Sequence, residues 1–194
     1  MEISLQVVER IAKSLEPAFR FNGSVKQTYM NLIRYFHADP AFDGRLEKGL
    51  LLIGPAGTGK TFAMKVMQIY RTIDDTRYFH NGVACRMNYD IYHVNEIVRS
   101  FMTGGFDGVE LYCKRYVACL DDIGSETEQV KHFGNSLDVI GHVLHERYAR
   151  GLMTFGTSNF PPEVMEKKYD DRTMSRMYAL FNFVVVNDID YRRQ

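Results

Sequence analysis

The chain has 194 residues, 45% of them apolar and 25% charged, with 24 basic side chains balanced by 24 acidic ones. That is enough for one globular domain with a real core, and the zero net charge excludes a large nucleic-acid-coating surface while leaving room for a local basic groove. No stretch approaches the roughly 18 apolar residues of a membrane span, and MEISLQVVER carries acids where a signal peptide carries lysines. Cys85, Cys113 and Cys119 have no CxxC spacing and read as reduced, mostly buried thiols of a cytoplasmic protein.

The elements follow in chain order. Ile3, Val7, Ile11 and Leu15 recur at helical spacing before Pro17, and Val25, Tyr29, Leu32, Ile33 and Phe36 repeat the pattern. Asp39-Pro40 and Asp43-Gly44 make a loop. Gly49–Ile53 predicts a short strand buried on both faces, followed by a glycine loop. A helix comes next, with Phe62, Val66, Ile69 and Ile73 along one face. Ala84–Met87 predicts a second strand. Asp90 is positioned to cap a helix to about Met102, with Ile91, Val94, Ile97, Val98 and Phe101 inward. Gly104, Gly105 and Gly108 break it, before a short helix near residues 109–114. Tyr116–Leu120 predicts a third strand, ending at two aspartates. A helix starting at Asn135 or Ser136 turns Leu137, Ile140, Val143, Leu144 and Tyr148 inward and closes at Gly151. Leu152–Thr157 and Phe183–Val186 predict the last two strands. Short helices after Pro161-Pro162 and over residues 173–180 lie between them. The alternation predicts an α/β fold, a five-stranded parallel sheet sandwiched by helices, with ligands at the carboxyl ends of the strands. Residues 1–48 form an N-terminal helical segment and residues 49–194 the core.

The octet Gly54-Pro-Ala-Gly-Thr-Gly-Lys60-Thr61 matches G-x-x-x-x-G-K-[ST] in full, between a strand and a helix as the motif requires. Its glycines let backbone N–H groups curl around phosphates, and the helix that follows adds its positive end. The predicted ATP-binding set is Gly54, Pro55, Ala56, Gly57, Thr58, Gly59, Lys60 and Thr61, extended to Phe62. Lys60 neutralises phosphate, and Thr61 is placed for Mg²⁺. In YVACLDDIG, residues 116–124, a strand delivers two carboxylates to the same edge. By position Asp121 orients the metal, largely through water, and Asp122 is the base that polarises the attacking water. In TFGTSNF, residues 154–160, Asn159 is a candidate to hold that water, against the alternative of a polar turn. In DDRTMSRMYALF, residues 170–181, Arg172 and Arg176 share a helix face, and paired surface arginines are the simpler reading of them alone. HVLHE, residues 142–146, has the letters of a zinc-protease motif in the wrong order, so His142 and His145 read as surface histidines.

These four segments, in this order, resemble the AAA+ ATPases, and more narrowly the DnaC/DnaI-type helicase loaders and their IstB-like relatives, from about Gly49 to Arg192. Gly54–Thr61 is then Walker A. Leu120-Asp-Asp-Ile-Gly124 is Walker B, in the Asp-Asp form that this group commonly uses. The ending NDIDYR resembles the group's usual GKDYR. The resemblance implies a P-loop NTPase fold, hydrolysis of ATP with Mg²⁺, Asn159 as sensor 1, and Arg176, with Arg172 beside it, reaching the ATP of a neighbouring subunit. It implies an ATP-dependent homo-oligomer whose client is a replicative helicase or, for an IstB-like helper, a transposase. Weak single-stranded DNA binding is expected around residues 90–115, where Arg99, Lys114 and Arg115 supply charge and Tyr92 and Phe106 supply stacking. Two departures accompany the resemblance. The segment before the first strand has no Cys/His cluster of the kind found in loader docking domains, and the chain reaches its fifth strand without room for a C-terminal helical lid. A P-loop nucleoside or nucleotide kinase and a non-hydrolysing scaffold are the readings of other classes. The first needs an arginine-bearing lid insertion that the sequence does not offer, and Lys60, Asp121 and Asp122 argue against the second.

Overall fold

The computed structural model describes residues 1–73, 77–80, 83–126, 130–132 and 135–186. The stretch NDIDYR, residues 187–192, lies outside them. Two amphipathic helices come first, α1 (Glu2–Leu15) and α2 (Gly23–Phe36). The Asn22 side chain caps α2 by accepting from Val25 N. Then follow β1 (Gly49–Ile53), α3 (Lys60–Ile73), a hairpin of β2 (Arg77–His80) and β3 (Val83–Arg86), β4 (Asp90–His93) and α4 (Val94–Lys114). The chain continues through β5 (Val117–Asp121), a second hairpin of β6 (Val130–His132) and β7 (Asn135–Leu137), α5 (Val139–Ala149), β8 (Met153–Ser158), α6 (Pro162–Lys168), α7 (Asp171–Leu180) and β9 (Phe181–Val185).

The main sheet has five strands in the order β4-β5-β8-β1-β9, all parallel. Its three central strands are buried along their whole length, as apolar runs in a sheet covered on both faces should be. Alternation within β1 divides the core. Leu50 and Leu52 pack with α1, α2 and α3, while Leu51 and Ile53 pack with α4, α5 and α7. Full burial of each such leucine contributes ~2 kcal/mol. The chain leaves β1 through α3 on one face and leaves neighbouring β8 through α6 and α7 on the other. The carboxyl ends of β1 and β8 therefore flank a crevice, the usual ligand position in such sheets.

Three expectations are corrected. The second strand of the sheet is Asp90–His93, not Ala84–Met87. Residues 83–86 pair antiparallel with β2, while β4 runs parallel to β5 with His93 opposite Asp121. Asp90 thus begins a strand, and α4 is capped instead by His93, whose Nδ1 accepts from Asn95 N at 3.2 Å. The break expected at the glycines is present: Gly105 leaves helical geometry, at φ 59 and ψ −142, so α4 is two helical segments meeting at a kink. Gly108 permits this fold-back, because a Cβ there would lie 2.1 Å from Ser100 O. Finally, α5 starts at Val139, not at Asn135 or Ser136. Asp138 is its N-cap, accepting from Gly141 N at 2.9 Å, and Tyr148 is 40% exposed rather than inward. The stripe on α1 is also displaced by one position: Val8, Ile11 and Ala12 are buried, while Ile3 and Leu15 are exposed.

Arg147 on α5 is a buried charge that the sequence did not signal: it has no exposed surface, and its partners among the described residues are neutral acceptors. Its guanidinium donates to Thr154 Oγ1 (2.9 Å), Tyr112 O (2.8 Å), Arg115 O (2.8 Å) and Met153 O (2.7 Å). It joins the end of α4 to the start of β8, and burial lowers its pKa to about 10.

Candidate functional site

The crevice is built from the loop after β1. Gly57 and Gly59 adopt φ 86 and φ 82, in the left-handed region that favours glycine. Gly54 is held from both sides: its N–H donates to Ser158 O at 3.3 Å, and a Cβ on it would meet Val186 O at 2.2 Å. Pro55 and Ala56 are exposed at the loop tip. Lys60 opens α3, so its ammonium and the helix's N-terminal dipole share one end of the crevice. That ammonium is almost buried, and it donates to Gly54 O (2.7 Å), Pro55 O (2.7 Å) and Asn159 Oδ1 (2.8 Å).

The carboxylates meet this loop through hydroxyls. Asp121 Oδ1, at the buried end of β5, accepts from Thr61 Oγ1 and from Thr157 Oγ1, both at 2.7 Å. The next residue turns sharply: Asp122 has φ 66, and its N–H donates to Thr157 Oγ1 at 2.9 Å. Its carboxylate Oδ1 accepts from Asn159 Nδ2 at 2.5 Å. Asn159 therefore bridges Lys60 and Asp122, and Lys60, Thr61, Asp121, Asp122 and Asn159 lie in one connected polar group. Phe62 stands apart from it, half-buried, with its ring 5.6 Å from that of Phe19.

Two participants were missed in the sequence. Thr157 joins both aspartates, and only the polar run Thr-Ser-Asn at the end of β8 signalled it. His93 lies at the end of the neighbouring strand β4, its Nε2 3.7 Å from Asp122 Oδ2. Since its Nδ1 accepts from Asn95 N, the ring proton of the neutral form belongs on Nε2, facing Asp122. The misassigned strand hid that placement.

Arg172 and Arg176 are not part of this group. The Arg176 guanidinium lies over the Tyr148 ring, 4.3 Å from its centroid, where α7 packs on α5. Arg172 is exposed nearby. Burial lowers the pKa of His145, and these two arginines lower it further. Around α4, Lys114 pairs with Glu110 and Arg115 with Asp90, and Arg99 is exposed. Tyr92 packs edge-on against Tyr112, while Phe106 is exposed beside His142. Acids thus interleave with the bases expected to meet DNA. Among the described residues no helix is long and apolar enough to cross a membrane.

No protein-family model matches the chain, and no curated protein matches it. Solved structures do. The structure of DnaI is 22% identical, with 90% of this chain covering 88% of that one at a TM-score of 0.62. The DnaC helicase loader is 18% identical, with coverages of 89% and 96% and a TM-score of 0.63. The replication initiator DnaA bound to AMPPCP and single-stranded DNA is 15% identical, with coverages of 88% and 49% and a TM-score of 0.58. The chain shares the α/β fold of these structures, built here on a five-stranded parallel sheet.

Proposed function

We propose that the chain is an ATP-hydrolysing AAA+ switch of the helicase-loader type, with residues 1–48 as a helical segment and residues 49–194 as the nucleotide-binding core. The observation that carries this reading is the connected group of Lys60, Thr61, Asp121, Asp122 and Asn159 at the crevice between β1 and β8. Lys60 exchanges its loop carbonyls for phosphate oxygens, which are stronger partners for an ammonium. Gly54–Gly59 wraps the phosphates with backbone N–H groups, and Phe62 follows on the first turn of α3. The donor set also fits Mg²⁺. Among the described residues no group of three His, Cys, Asp or Glu could hold an ion by itself. A threonine hydroxyl beside one buried carboxylate suits an ion that keeps waters and shares phosphate ligands. Bound there, Mg²⁺ supplies neutralisation of the charge on the β- and γ-oxygens. Asp122 accepts the proton of the attacking water, and Asn159 orients that water and the carboxylate together.

Arg176, with Arg172 beside it, acts in trans on the phosphate chain held by a neighbouring copy, so ATP ties subunits into an oligomer. The clients are a replicative helicase and, weakly, single-stranded DNA, in keeping with the DnaC and DnaA likenesses. The protein works in the cytoplasm.

The deciding experiment is ATP turnover against protein concentration, with mixtures. Wild-type turnover should rise more than proportionally with concentration. Arg176→Ala should keep ATP affinity and lose most turnover, since such arginines contribute about 10³–10⁵ in rate. Mixing Arg176→Ala with Lys60→Ala should restore activity, because the first offers a competent pocket and the second an arginine. A wild-type rate in Arg176→Ala at all concentrations, with no gain on mixing, would sink the trans mechanism. Phosphorylated nucleoside as product would replace the reading with a kinase.

A further inference from the structure

Glu126 lies just beyond the Asp122 turn and is 4% exposed. Its carboxylate is fully engaged. Oε2 accepts from Gly124 N at 2.8 Å, Oε1 accepts from the Tyr169 hydroxyl, and the Lys168 ammonium stands 3.7 Å from Oε1. Lys168 Nζ also donates to Gly124 O at 2.7 Å and to Glu126 O at 2.5 Å. Burial raises the pKa of the Tyr169 hydroxyl, and the Glu126 charge raises it further, so the hydroxyl stays a donor.

The position of these partners gives the cluster its meaning. Lys168 is the last residue of α6, Tyr169 its C-cap, and Asp170 the N-cap of α7, accepting from Thr173 N at 2.7 Å. The other side of the same loop is pinned to the crevice. Gly124, at φ 99, lies against Phe160, whose ring a Cβ would meet at 2.6 Å, and Phe160 directly follows Asn159. Ser158 Oγ donates to Ile123 O at 2.6 Å and accepts from Phe160 N at 3.1 Å. Residues 122–126 thus have one end on Asn159 and the other on the junction that launches the helix carrying Arg172 and Arg176. A loop staple needs no charge, and a buried carboxylate with a nearby ammonium is costly against an apolar filling of the same volume. Its three directed contacts fix distance and orientation instead.

The geometry points to Glu126 as a positioning residue for hydrolysis: it sets the Asp122 loop and the α6–α7 junction in one fixed relation, so that a subunit's own pocket and the arginine face it offers its neighbour are aligned together. This rests on the nucleotide reading above. Glu126 touches no reacting atom. Its effect passes through Asp122 in its own subunit and through Arg176 in the next.

The test uses the full chain with Glu126→Ala, Glu126→Gln and Tyr169→Phe, at a temperature where circular dichroism shows each variant folded. Binding of a fluorescent ATP analogue should stay within about threefold of wild type. Turnover should fall about 10- to 100-fold in Glu126→Ala, the scale of a misplacement near 1 Å. Glu126→Gln, which keeps an acceptor, should recover part of the loss, and Tyr169→Phe should show a smaller defect of the same kind. In mixtures Glu126→Ala should rescue neither Lys60→Ala nor Arg176→Ala, although those two rescue each other. A lowered melting point with wild-type turnover per folded molecule, or full rescue in both mixtures, overturns the proposal and leaves the nucleotide reading intact. Should Glu126→Ala not fold, Glu126→Gln and Tyr169→Phe decide by the same criteria. A wild-type chain that neither binds nor hydrolyses ATP removes both.

Discussion

Replacing Asp138 with asparagine should make the protein more stable at neutral pH. Asp138 caps α5 from a crowded position: a Cβ on Gly141 would lie 2.3 Å from its Oδ2. Burial, reinforced by the charges of Glu126 and Asp170, pushes its pKa from 3.8 up to about 6, against the opposing hydrogen bond from Gly141 and the charge of Lys168. An acid whose folded-state pKa is raised stabilises the fold fully only below its unfolded pKa. That contribution is lost as pH rises through about 6. Holding the charge at pH 8 therefore costs ~3 kcal/mol. Asparagine keeps an acceptor for Gly141 N and carries no charge. It forgoes ~0.5 kcal/mol of attraction to the α5 N-terminus, so the expected net gain is ~2 kcal/mol, or about 4–8 °C in Tm for a domain of this size. Urea unfolding of both proteins at pH 4 and pH 8, at matched ionic strength, measures it. The gain should be present at pH 8 and nearly vanish at pH 4. A variant no more stable than wild type at pH 8, with the same pH dependence, would refute the reasoning.

Asp122→Asn should bind ATP normally and hydrolyse it about 10²-fold or more slowly, because the water loses its base while Asp121 and Thr61 stay in place. Fluorescent-analogue titration beside a phosphate-release assay separates the two effects. Gly124→Ala should unfold at lower denaturant, by ~2–3 kcal/mol, since alanine at φ 99 is strained and its Cβ meets the Phe160 ring. A wild-type midpoint there would mean that the loop shifts at little cost. Arg147→Met should lose ~3 kcal/mol or more in the same assay, because the carbonyls of Tyr112, Arg115 and Met153 are left buried without that donor. A loss under 1 kcal/mol would show that water takes its place.

Periodicity and composition carry far where burial is total. Gly49–Ile53 was legible to the residue, because a strand covered on both faces is an unbroken apolar run ending at glycine. The turn between β1 and α3 was legible for a related reason, since Gly57 and Gly59 take the left-handed backbone that favours glycine. The edge strand β4 was not. Asp90-Ile-Tyr-His is too short and too polar to stand out, and its strand character comes from pairing with β5, a long-range contact with no local sign. His93 beside Asp122 was lost with it. The glycine run was legible too: Gly105, at φ 59 and ψ −142, separates the two helical segments of α4 as a glycine-rich break should. Glu126 and Thr157 could not be assigned from spacing, because their partners are 43 and 36 positions away along the chain.

The left-handed backbone at Asp122 also bears on which residues this position can accept over evolutionary time. At φ 66 a side chain with a Cβ is crowded; glycine tolerates it because it has no Cβ, and aspartate and asparagine because a short polar side chain bonds locally. Glutamate offers the same carboxylate at greater reach but gains little of that local relief. While the turn is held by the Thr157 hydroxyl on Asp122 N, the backbone itself restricts which side chains the position accepts. A drift from aspartate to glutamate here would first require the turn to relax, so the length of the acid and the shape of the loop must change as a pair.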